Sequence, residues 1–364
     1  MRCALNREIF AEALGTVVSV LPSKATFPVY QNILLEVEQG RLAITGADGD
    51  TVVRREIKLE GKSEDGRVLV NGQRLNELVR ASLAEQVSLK TTEKMMAMEA
   101  DRMKADFTLL APEEFPVLPE LPSDIQFEFP LATLFDMYDL CSFAASRDES
   151  RPILTAINWE IGKGESRMVA TDSIRLALVT RKVKSPVKAK LLLLPKALSI
   201  MPRGEERVSV FADAKRVGFK LENTIVVSRT IEGPYPEYER VIPKNLPARV
   251  EVKREQLINA LRRAIIFASP VGKQVSIELT TKNMVLRVDN SDAGFFEEEI
   301  DCQHKGENLR VGFNGSYLFE ILSHINTDEV AVELSSPMAP VVFKPVSERE
   351  DGEELFIMMP VRLD

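Results

Sequence analysis

The side chains that could do acid–base or metal chemistry are few and scattered. His304 and His324 are the only histidines, and neither has neighbours at the spacing of a Ser-His-Asp triad or a two-histidine metal site. Asp48 and Asp50 could serve acid–base or magnesium chemistry. Gly162-Lys163-Gly164 lacks the third glycine and the following helix of a phosphate-binding fingerprint, which favours a hairpin turn. We therefore predict no catalytic residue, metal or cofactor, with a hydrolase that uses turn carboxylates as a distant alternative.

Composition indicates a folded protein of ordinary globular type. The 364 residues are 45% hydrophobic and 28% charged, enough for two or three domains with their own cores. The formal net charge of -8 disfavours bulk attraction to nucleic acid, but it leaves room for a basic face on an acidic body. The distribution of charge over the protein decides whether such a basic face exists.

Cysteine usage and hydropathy indicate a cytoplasmic location. Cys3, Cys141 and Cys302 are odd in number and scattered, which argues against a disulfide framework or a thiolate metal cluster, and we predict that all three are buried. No uninterrupted apolar run approaches the roughly 20 residues that cross a bilayer, and the first residues have no apolar signal core. We expect no membrane partner.

The segment from Met168 to Leu178 has an apolar run that is broken once, by Thr171-Asp172-Ser173. This pattern predicts strand, tight turn and strand, because Asp and Ser side chains can bond the backbone two residues on. Leu42 to Asp48 and Leu286 to Asp292 end alternating strands in similar Asp-bearing turns. Three copies of one unit are therefore predicted.

Each unit opens with an apolar helical stripe and continues into a hairpin. The stripes begin near Leu5, Leu131 and Leu257, and Asn6 is a candidate helix N-cap. Each hairpin contains an apolar-Glu-apolar strand, at Glu36, Glu160 and Glu278. The corresponding turns are Gln39-Gly40, Gly162-Lys163-Gly164 and Lys282-Asn283.

A second helix is predicted later in each unit. Asn71-Gly72 and Asn314-Gly315 precede similar apolar patterns, and Pro195 occupies the same place in the middle unit, where proline suits a first helical turn. Proline-bearing segments close the first two units, which places domain boundaries near residues 122 and 246. The predicted domains are 1–122, 123–246 and 247–364, of α+β class, each with two helices packed on antiparallel sheets.

Three motifs on this threefold repeat carry a family resemblance over the full length of the chain. They are Thr171 to Ala177, Tyr235 to Pro243 and Met359 to Leu363. With them the chain resembles the beta subunit of bacterial DNA polymerase III, the DNA sliding clamp. The resemblance implies three clamp domains and a head-to-tail homodimer that closes as a ring around duplex DNA. It also implies a non-catalytic processivity role, with a clamp loader, the polymerase III catalytic subunit and other clamp-binding-motif proteins as partners.

The resemblance also implies three sets of site residues. A partner-peptide pocket would contain Leu154, Thr171, Ser173, Arg175, Leu176, Pro236, Arg240, Val241, Met358, Met359, Pro360, Val361, Arg362 and Leu363. Basic residues would face DNA, namely Lys24 and a set that the predicted helices carry and that recurs across the units: Arg74, Arg80, Lys196, Arg203, Arg254, Arg262 and Arg263. The acidic runs Glu297 to Glu299 and Glu348 to Glu354 lie off those helices, which suits an acidic exterior and a mildly basic lining.

The ring interface has support from the pattern itself. Lys104 to Leu109 alternates like an edge strand, and an exposed edge bearing Phe107 and Leu109 invites pairing with another chain. By resemblance the partner surface is the third unit, with apolar residues Ile265 and Ile266 and with acids that would meet basic residues of the first unit. The acids are Glu297, Glu298 and Glu299, and the basic residues are Arg102 and Lys104.

Local departures from the family pattern bear on the selectivity of the pocket. Ser173-Ile174 stands where Gly-His is common, Glu239 stands where a basic residue is usual, and Asp364 follows the usual last leucine. The alternative function is a three-module protein-interaction scaffold that does not encircle DNA. The affinity order of partners, the dimer dissociation constant and the ring-opening rate stay open.

Overall fold

The same order of elements occurs three times along the chain. The computed structural model describes residues 1–24, 27–117, 119–280, 282–347 and 349–363, so Glu348 and Asp364 lie outside the described residues. Each repeat has a strand and a helix, four strands, a second helix and three strands, to which the second repeat adds a short helix, Pro152–Thr155, and the third a short strand, Gln303–Lys305. Leaving out these two additions, we call the four strands between the two helices the middle strands, and the first strand with the last three the outer strands.

The three repeats have the following bounds. The first contains β1 (Arg2–Asn6), α1 (Arg7–Val18), β2 (Asn32–Glu38), β3 (Arg41–Ala47), β4 (Thr51–Lys58), β5 (Gly66–Asn71), α2 (Gly72–Ala81), β6 (Gln86–Thr91), β7 (Met95–Ala100) and β8 (Met103–Thr108). The second contains β9 (Ile125–Pro130), α3 (Leu131–Cys141), α4 (Pro152–Thr155), β10 (Ile157–Ile161), β11 (Ser166–Thr171), β12 (Arg175–Arg181), β13 (Ala189–Leu193), α5 (Pro195–Ser199), β14 (Arg207–Ala212), β15 (Arg216–Lys220) and β16 (Thr224–Arg229). The third contains β17 (Ala248–Lys253), α6 (Arg254–Phe267), β18 (Gln274–Leu279), β19 (Asn283–Asn290), β20 (Gly294–Asp301), β21 (Gln303–Lys305), β22 (Leu309–Asn314), α7 (Gly315–His324), β23 (Glu329–Leu334), β24 (Val341–Pro345) and β25 (Gly352–Met358).

Asparagine side chains cap three of the long helices. Asn6 Oδ1 accepts the N–H groups of Glu8 and Ile9 at 2.9 and 3.2 Å, which confirms the predicted cap of α1. Asn71 caps α2 and Asn314 caps α7 in the same way. Such a cap contributes about 1 kcal/mol because it satisfies N–H groups that the first helical turn leaves unpaired.

Helix α5 is much shorter than its counterparts. Pro195 occupies its first position, as predicted, but the helix ends at Ser199. Pro202 disfavours helical backbone at the preceding residue, and Gly204 has φ +132°, a conformation that favours glycine. The prediction that Arg203 is borne on a helix is therefore wrong.

The chain divides into two compact units, residues 1–134 with 193–232 and residues 135–192 with 233–364. In the first unit, the middle strands of the first repeat continue into outer strands of the second, in the order β5-β2-β3-β4-β16-β15-β14-β9. The joint is the antiparallel pair β4 and β16. The outer strands of the first repeat form a separate sheet, β1-β6-β7-β8.

The second unit is built by the same rule. Its nine-stranded sheet, β13-β10-β11-β12-β25-β24-β23-β17-β21, joins middle strands of the second repeat to outer strands of the third through the antiparallel pair β12 and β25. The middle strands of the third repeat form the sheet β20-β19-β18-β22. The strands β8 and β20 are thus edges of their sheets among the described residues.

The helices bury their apolar stripes against these sheets. In α1, Phe10, Ala13, Leu14 and Val17 are fully buried, and the helix packs on α2, β3 and β4. In the second unit α6 packs on α7, β19 and β20. Each large side chain buried in this way contributes about 1.5–3 kcal/mol. No helix of the described part of the chain is both long and apolar enough to span a bilayer.

A buried charge network fastens the joint between β12 and β25. Arg181 is only 1% exposed, and it donates to Asp136 Oδ2 and Glu354 Oε1 at 2.6 Å each. Glu354 is also buried, so each of these two charges needs the other to compensate for its lost hydration. Removing one partner of such a pair typically costs about 3–5 kcal/mol.

The cysteine prediction is correct for two of the three residues. Cys3 and Cys141 are buried, and burial raises the pKa of the Cys3 thiol to about 11. Cys302 is only partly buried, because it follows the exposed edge strand β20 rather than a core strand. All three thiols are free.

Candidate partner-binding and DNA-binding sites

The turn between β11 and β12 is the centre of the candidate peptide pocket. Asp172 Oδ1 accepts the N–H groups of Ile174 and Arg175, both at 2.9 Å, as the Thr-Asp-Ser pattern predicts. Asp48 and Asp213 likewise accept two backbone N–H groups in other turns, and Asn290 accepts one, from Asp292, after β19. The acidic turn residues therefore have structural work, and Asp50 is paired with Arg229.

Arg175 is not available to a partner in the way that the resemblance implies. Its side chain is 8% exposed, and its three nitrogens donate to Asp172 Oδ2, Glu320 Oε2 and the Phe143 carbonyl at 3.1, 2.6 and 2.9 Å. Its Cζ also lies 4.4 Å from the centroid of the Tyr317 ring. The buried Arg175 side chain therefore stabilises the turn from its inner side.

Several other predicted pocket residues are buried and not exposed, and we call Leu154, Thr171 and Leu176 the floor of the pocket. Leu154, Thr171 and Leu176 are all less than a tenth exposed. Met358 is completely buried, because it lies in β25 between Arg175 of β12 and Val341 of β24. Met358, predicted to belong to the partner-peptide pocket, therefore presents no surface to a partner in this structure.

Exposed apolar atoms come from two other segments. Val241 is 48% exposed and Met359 is 39% exposed. Pro236 is also exposed, in the same segment as Val241, and the exposed Arg240 is paired with Glu237. Thioether and branched aliphatic side chains of this kind can accommodate different apolar anchors.

The last described residues are docked on neighbouring segments. The Met359 N–H donates to the Ile174 carbonyl at 2.8 Å, and the Val361 N–H donates to the Gly312 carbonyl at 2.9 Å. The Arg362 carbonyl accepts from Gln274 Nε2 at 3.2 Å. Leu363 lies so close to Gly312 that a Cβ there would meet it at 2.7 Å. Pro360 is partly exposed between these anchors.

Two of the departures from the family pattern, Ser173 and Ile174, lie in the turn. Ser173 has φ +79°, in the left-handed region that favours glycine. Its hydroxyl accepts from Arg151 Nη1 at 3.3 Å, and Ile174 is 41% exposed. Glu239 lies 3.8 Å from Arg167. A pocket of about 350 Å³ adjoins the turn and is lined by Ser146, Asp148, Arg151, Ile174, Tyr317 and Glu320 among others.

The predicted DNA-facing residues fall into two groups. The side chains of one group are exposed, namely Lys24, Arg74, Arg80, Arg203 and Arg262. Arg262 also lies over the Phe319 ring, with its Cζ 5.2 Å from the centroid. Arg80 extends over Gly15 of the neighbouring helix α1. These residues stay candidates for phosphate contacts.

The second group is engaged within the chain. Lys196 Nζ donates to Asp48 Oδ2 and to the Val20 carbonyl, both at 2.6 Å. Arg254 donates to the carbonyls of Thr327 and Leu322 near the end of α7. Arg263 makes a two-bond ion pair with Glu298. A charge held in this way is a weaker candidate for DNA contact, because a phosphate would have to displace the partner.

The predicted interface strand is an edge, as the sequence indicates. Leu109 and Phe107 are partly buried at β8. In the second unit Ile266 is 76% exposed and Phe295 is 59% exposed beside the other edge, β20. Ile265 turns inward instead, since a Cβ at Gly315 would meet it at 2.9 Å.

Lys104 and the three glutamates predicted to meet across the interface already have partners. Lys104 pairs with Glu99, Glu297 pairs with Arg287, and Glu299 bonds Asn283. The hydrogen bond from Arg263 holds the pKa of Glu298 below its ordinary value. Arg102 is exposed. The interfacial ion pairs would therefore have to form by sharing or exchange.

The two histidines have local partners. His324 Nδ1 faces the Glu320 carbonyl at 2.7 Å and His304 Nδ1 faces the Thr280 carbonyl at 3.0 Å, so each nitrogen carries a proton and donates. Within the described part of the chain, no three metal-ligating side chains are grouped.

Sequence reasoning missed four residues that complete the Arg175 environment: Asp172, Phe143, Tyr317 and Glu320. The sequence pattern identifies Asp172 only as a turn former. The others lie in distant segments, and Glu320 is 145 positions from Arg175. An arginine inside an alternating strand is the only signal in the sequence, and it does not indicate a partner.

Comparisons with known proteins bear on the whole chain. Models of the DNA polymerase III beta subunit match residues 1–119 (N-terminal domain), 130–237 (central domain) and 239–362 (C-terminal domain). The chain belongs to the DNA polymerase III beta subunit family. This confirms the resemblance, the α+β class with three repeated clamp domains, and the role of a sliding clamp in DNA replication.

Relatives and solved structures agree with the family models. Proteins named beta sliding clamp from Staphylococcus epidermidis and Staphylococcus aureus are each 27% identical, with 100% of this chain and 99% of the relative covered. The Thermotoga maritima beta subunit structure has a TM-score of 0.94 at 26% identity. The Pseudomonas aeruginosa beta subunit structure has a TM-score of 0.91 at 26% sequence identity. Both structural matches cover 100% of each chain.

Proposed function

We propose that two copies of this clamp subunit close head to tail into a ring around duplex DNA and tether the replicative polymerase. The observation that supports the proposal is the way in which strands of successive repeats pair with each other. Middle strands pair with outer strands of the next repeat at β4 and β16 and at β12 and β25. The strands that correspond in position to these joined strands, β20 in the third repeat and β8 in the first, are edge strands among the described residues, and we call them the leftover edges.

The leftover edges are complementary, because one is a middle strand and the other is an outer strand. Pairing β20 of one copy with β8 of another would continue the rule that builds both large sheets. It would cover the exposed Phe295 and Ile266, and it would remove two open edges that otherwise invite aggregation. Because the two edges differ, the contact is heterologous, and it closes only when the rotation per copy divides a full turn. A dimer fits the ring that we propose.

DNA binding would be sequence-blind and salt-sensitive. We propose that the exposed residues Lys24, Arg74 and Arg262 contact phosphates. Replacing all three by alanine should lower loading onto DNA and reduce the steepness of the salt dependence by about 0.9 for each phosphate that is no longer neutralised. Loading measured at several salt concentrations, on two unrelated DNA sequences, checks both points.

A matched control keeps the loss of charge and changes its place. Arg41, Arg67 and Arg229 are exposed arginines on strands, and their triple alanine variant loses the same charge. It should load like the wild type. Equal loss in the two variants would mean that net charge, and not these three positions, controls loading.

We further propose that partner proteins insert a short peptide over the floor of Leu154, Thr171 and Leu176, against Val241 and Met359. Two apolar anchors would gain about 1.5–3 kcal/mol each, part of it offset by ordering of the tail. Micromolar binding at each site, with two sites per ring, would allow the clamp loader and the polymerase to exchange and would give avidity to a partner that engages both.

Further proposals concern the absence of catalysis, the location of the subunit and the bounds of its domains. We propose that the subunit is a non-catalytic processivity factor, that it acts in the cytoplasm as a bacterial replication protein, and that its clamp domains are bounded near residues 122 and 246. The structural roles of the turn acids support the first point.

A further inference from the structure

A partly buried ion pair connects the β11–β12 turn to helix α7. Arg175 Nη1 donates to Glu320 Oε2 at 2.6 Å, and the side chain of Glu320 is 35% exposed. The Nε and Nη2 atoms of Arg175 are bound to Asp172 and Phe143. Since guanidinium is a fixed fork of donors, the directions of these bonds fix where the turn lies relative to the helix.

A second contact from the same helix closes a cycle of interactions. The Glu320 carbonyl accepts from His324 Nδ1 at 2.7 Å. The His324 ring stacks on Phe143, with centroids 4.1 Å apart and an interplanar angle of 17°. The Phe143 carbonyl in turn accepts from Arg175. Glu320 therefore belongs to a closed set of contacts that hold one geometry.

The turn held in this way has an uncommon backbone. Ser173 adopts φ +79°, a conformation that a non-glycine residue keeps only where its surroundings enforce it. The next residue, Ile174, presents its carbonyl to the Met359 N–H at 2.8 Å. The position of the half-exposed Met359 thus depends on the conformation of the turn.

We infer that Glu320 is a positioning residue for the partner-peptide site. Through Arg175 it holds residues 172–174, and with them the bond between Ile174 and Met359, in the conformation that a partner peptide binds. Glu320 does this without touching the peptide. The inference rests on the proposed peptide pocket, and it assigns a role there to a residue of α7.

The test is Glu320→Gln, which keeps the shape of the side chain and removes its charge. A fluorescently labelled Gln- and Leu-rich clamp-binding peptide should bind the variant about tenfold more weakly, within the 5–150-fold range typical of coupled sites. Amide hydrogen exchange of Ile174 and Met359 should become faster. Native mass and circular dichroism should match the wild type.

Glu333→Gln is the matched control. Glu333 is also a partly buried carboxylate in the same unit, paired with Arg249 and Lys344 at 2.6 and 3.0 Å, so its ion pairs run to β17 and β24 and not to the turn. Its peptide affinity should equal that of the wild type. A general effect of losing a buried charge would weaken both variants alike and would overturn the inference.

The remaining outcomes separate the inference from the function on which it rests. Wild-type protein that fails to bind the peptide would refute the pocket, and the role of Glu320 with it. Wild-type binding with an unchanged Glu320→Gln variant would refute only the positioning role. A loss seen with a lysine-bearing peptide, but not with its alanine counterpart, would mean that Glu320 contacts the partner directly, which also contradicts the inference.

Discussion

Phe107→Asp combined with Ile266→Asp should convert the protein to monomers. Phe107 lies on the edge strand β8, and Ile266 is 76% exposed beside the edge strand β20. In the proposed contact each aspartate would be buried without a partner, at about 3–5 kcal/mol, and about 1.4 kcal/mol is a factor of ten in affinity. Native mass spectrometry should find the 40.7 kDa chain alone, where the wild type gives about twice that mass.

A control pair places the same charges elsewhere. Leu83 is 98% exposed and Met338 is 58% exposed, and neither lies on β8 or β20. Leu83→Asp with Met338→Asp should stay dimeric. Circular dichroism should show that the Phe107 and Ile266 variant is folded. A folded double variant that still runs as a dimer would place the interface away from these two edges.

Deleting Met359 to Asp364 should abolish peptide binding and polymerase stimulation while the native mass stays that of a dimer. The deletion removes the exposed Met359 and the residues that dock on Gly312, whereas β25 ends at Met358 and stays whole. Loss of the apolar anchor site would cost about 3 kcal/mol or more of binding free energy. Fluorescence polarisation with a clamp-binding peptide checks the affinity.

Two single substitutions sharpen this result. Met359→Ala should weaken peptide binding with little change in thermal stability, because its side chain is partly in solvent. Met358→Ala should destabilise the fold by about 2–5 kcal/mol, because Met358 is fully buried. The pocket assignment is wrong if the truncated protein binds within about threefold of the wild type.

Local features of the fold are predictable because their causes are local. The Asp172 turn, the Asn6 cap and the alternating burial along β8 each depend on neighbours within a few positions. Repetition strengthens each local signal, since one pattern recurs in all three units. The error at Arg203 also has a local cause, because Pro202 and Gly204 on either side of it disfavour helical backbone.

Features that depend on distant segments are not predictable in this way. The pairs β4 with β16 and β12 with β25 join different repeats, and no window of sequence contains both members. Lys196 is expected from sequence to face DNA, but its partner Asp48 lies 148 positions away. Met358 resembles part of an apolar tail in the sequence because the central place of β25 depends on its neighbours β12 and β24.

The most direct test of the central claim is retention of the loaded protein on nicked circular DNA before and after linearisation. A closed ring is held by topology while each phosphate contact is weak, so the account predicts a long lifetime on the circle at salt concentrations that prevent direct binding. Cutting the circle once should release the protein by sliding off the ends. Equal retention on circular and linear DNA would contradict the account, and so would an absence of retention on the circle, the result expected of a scaffold that never encircles DNA.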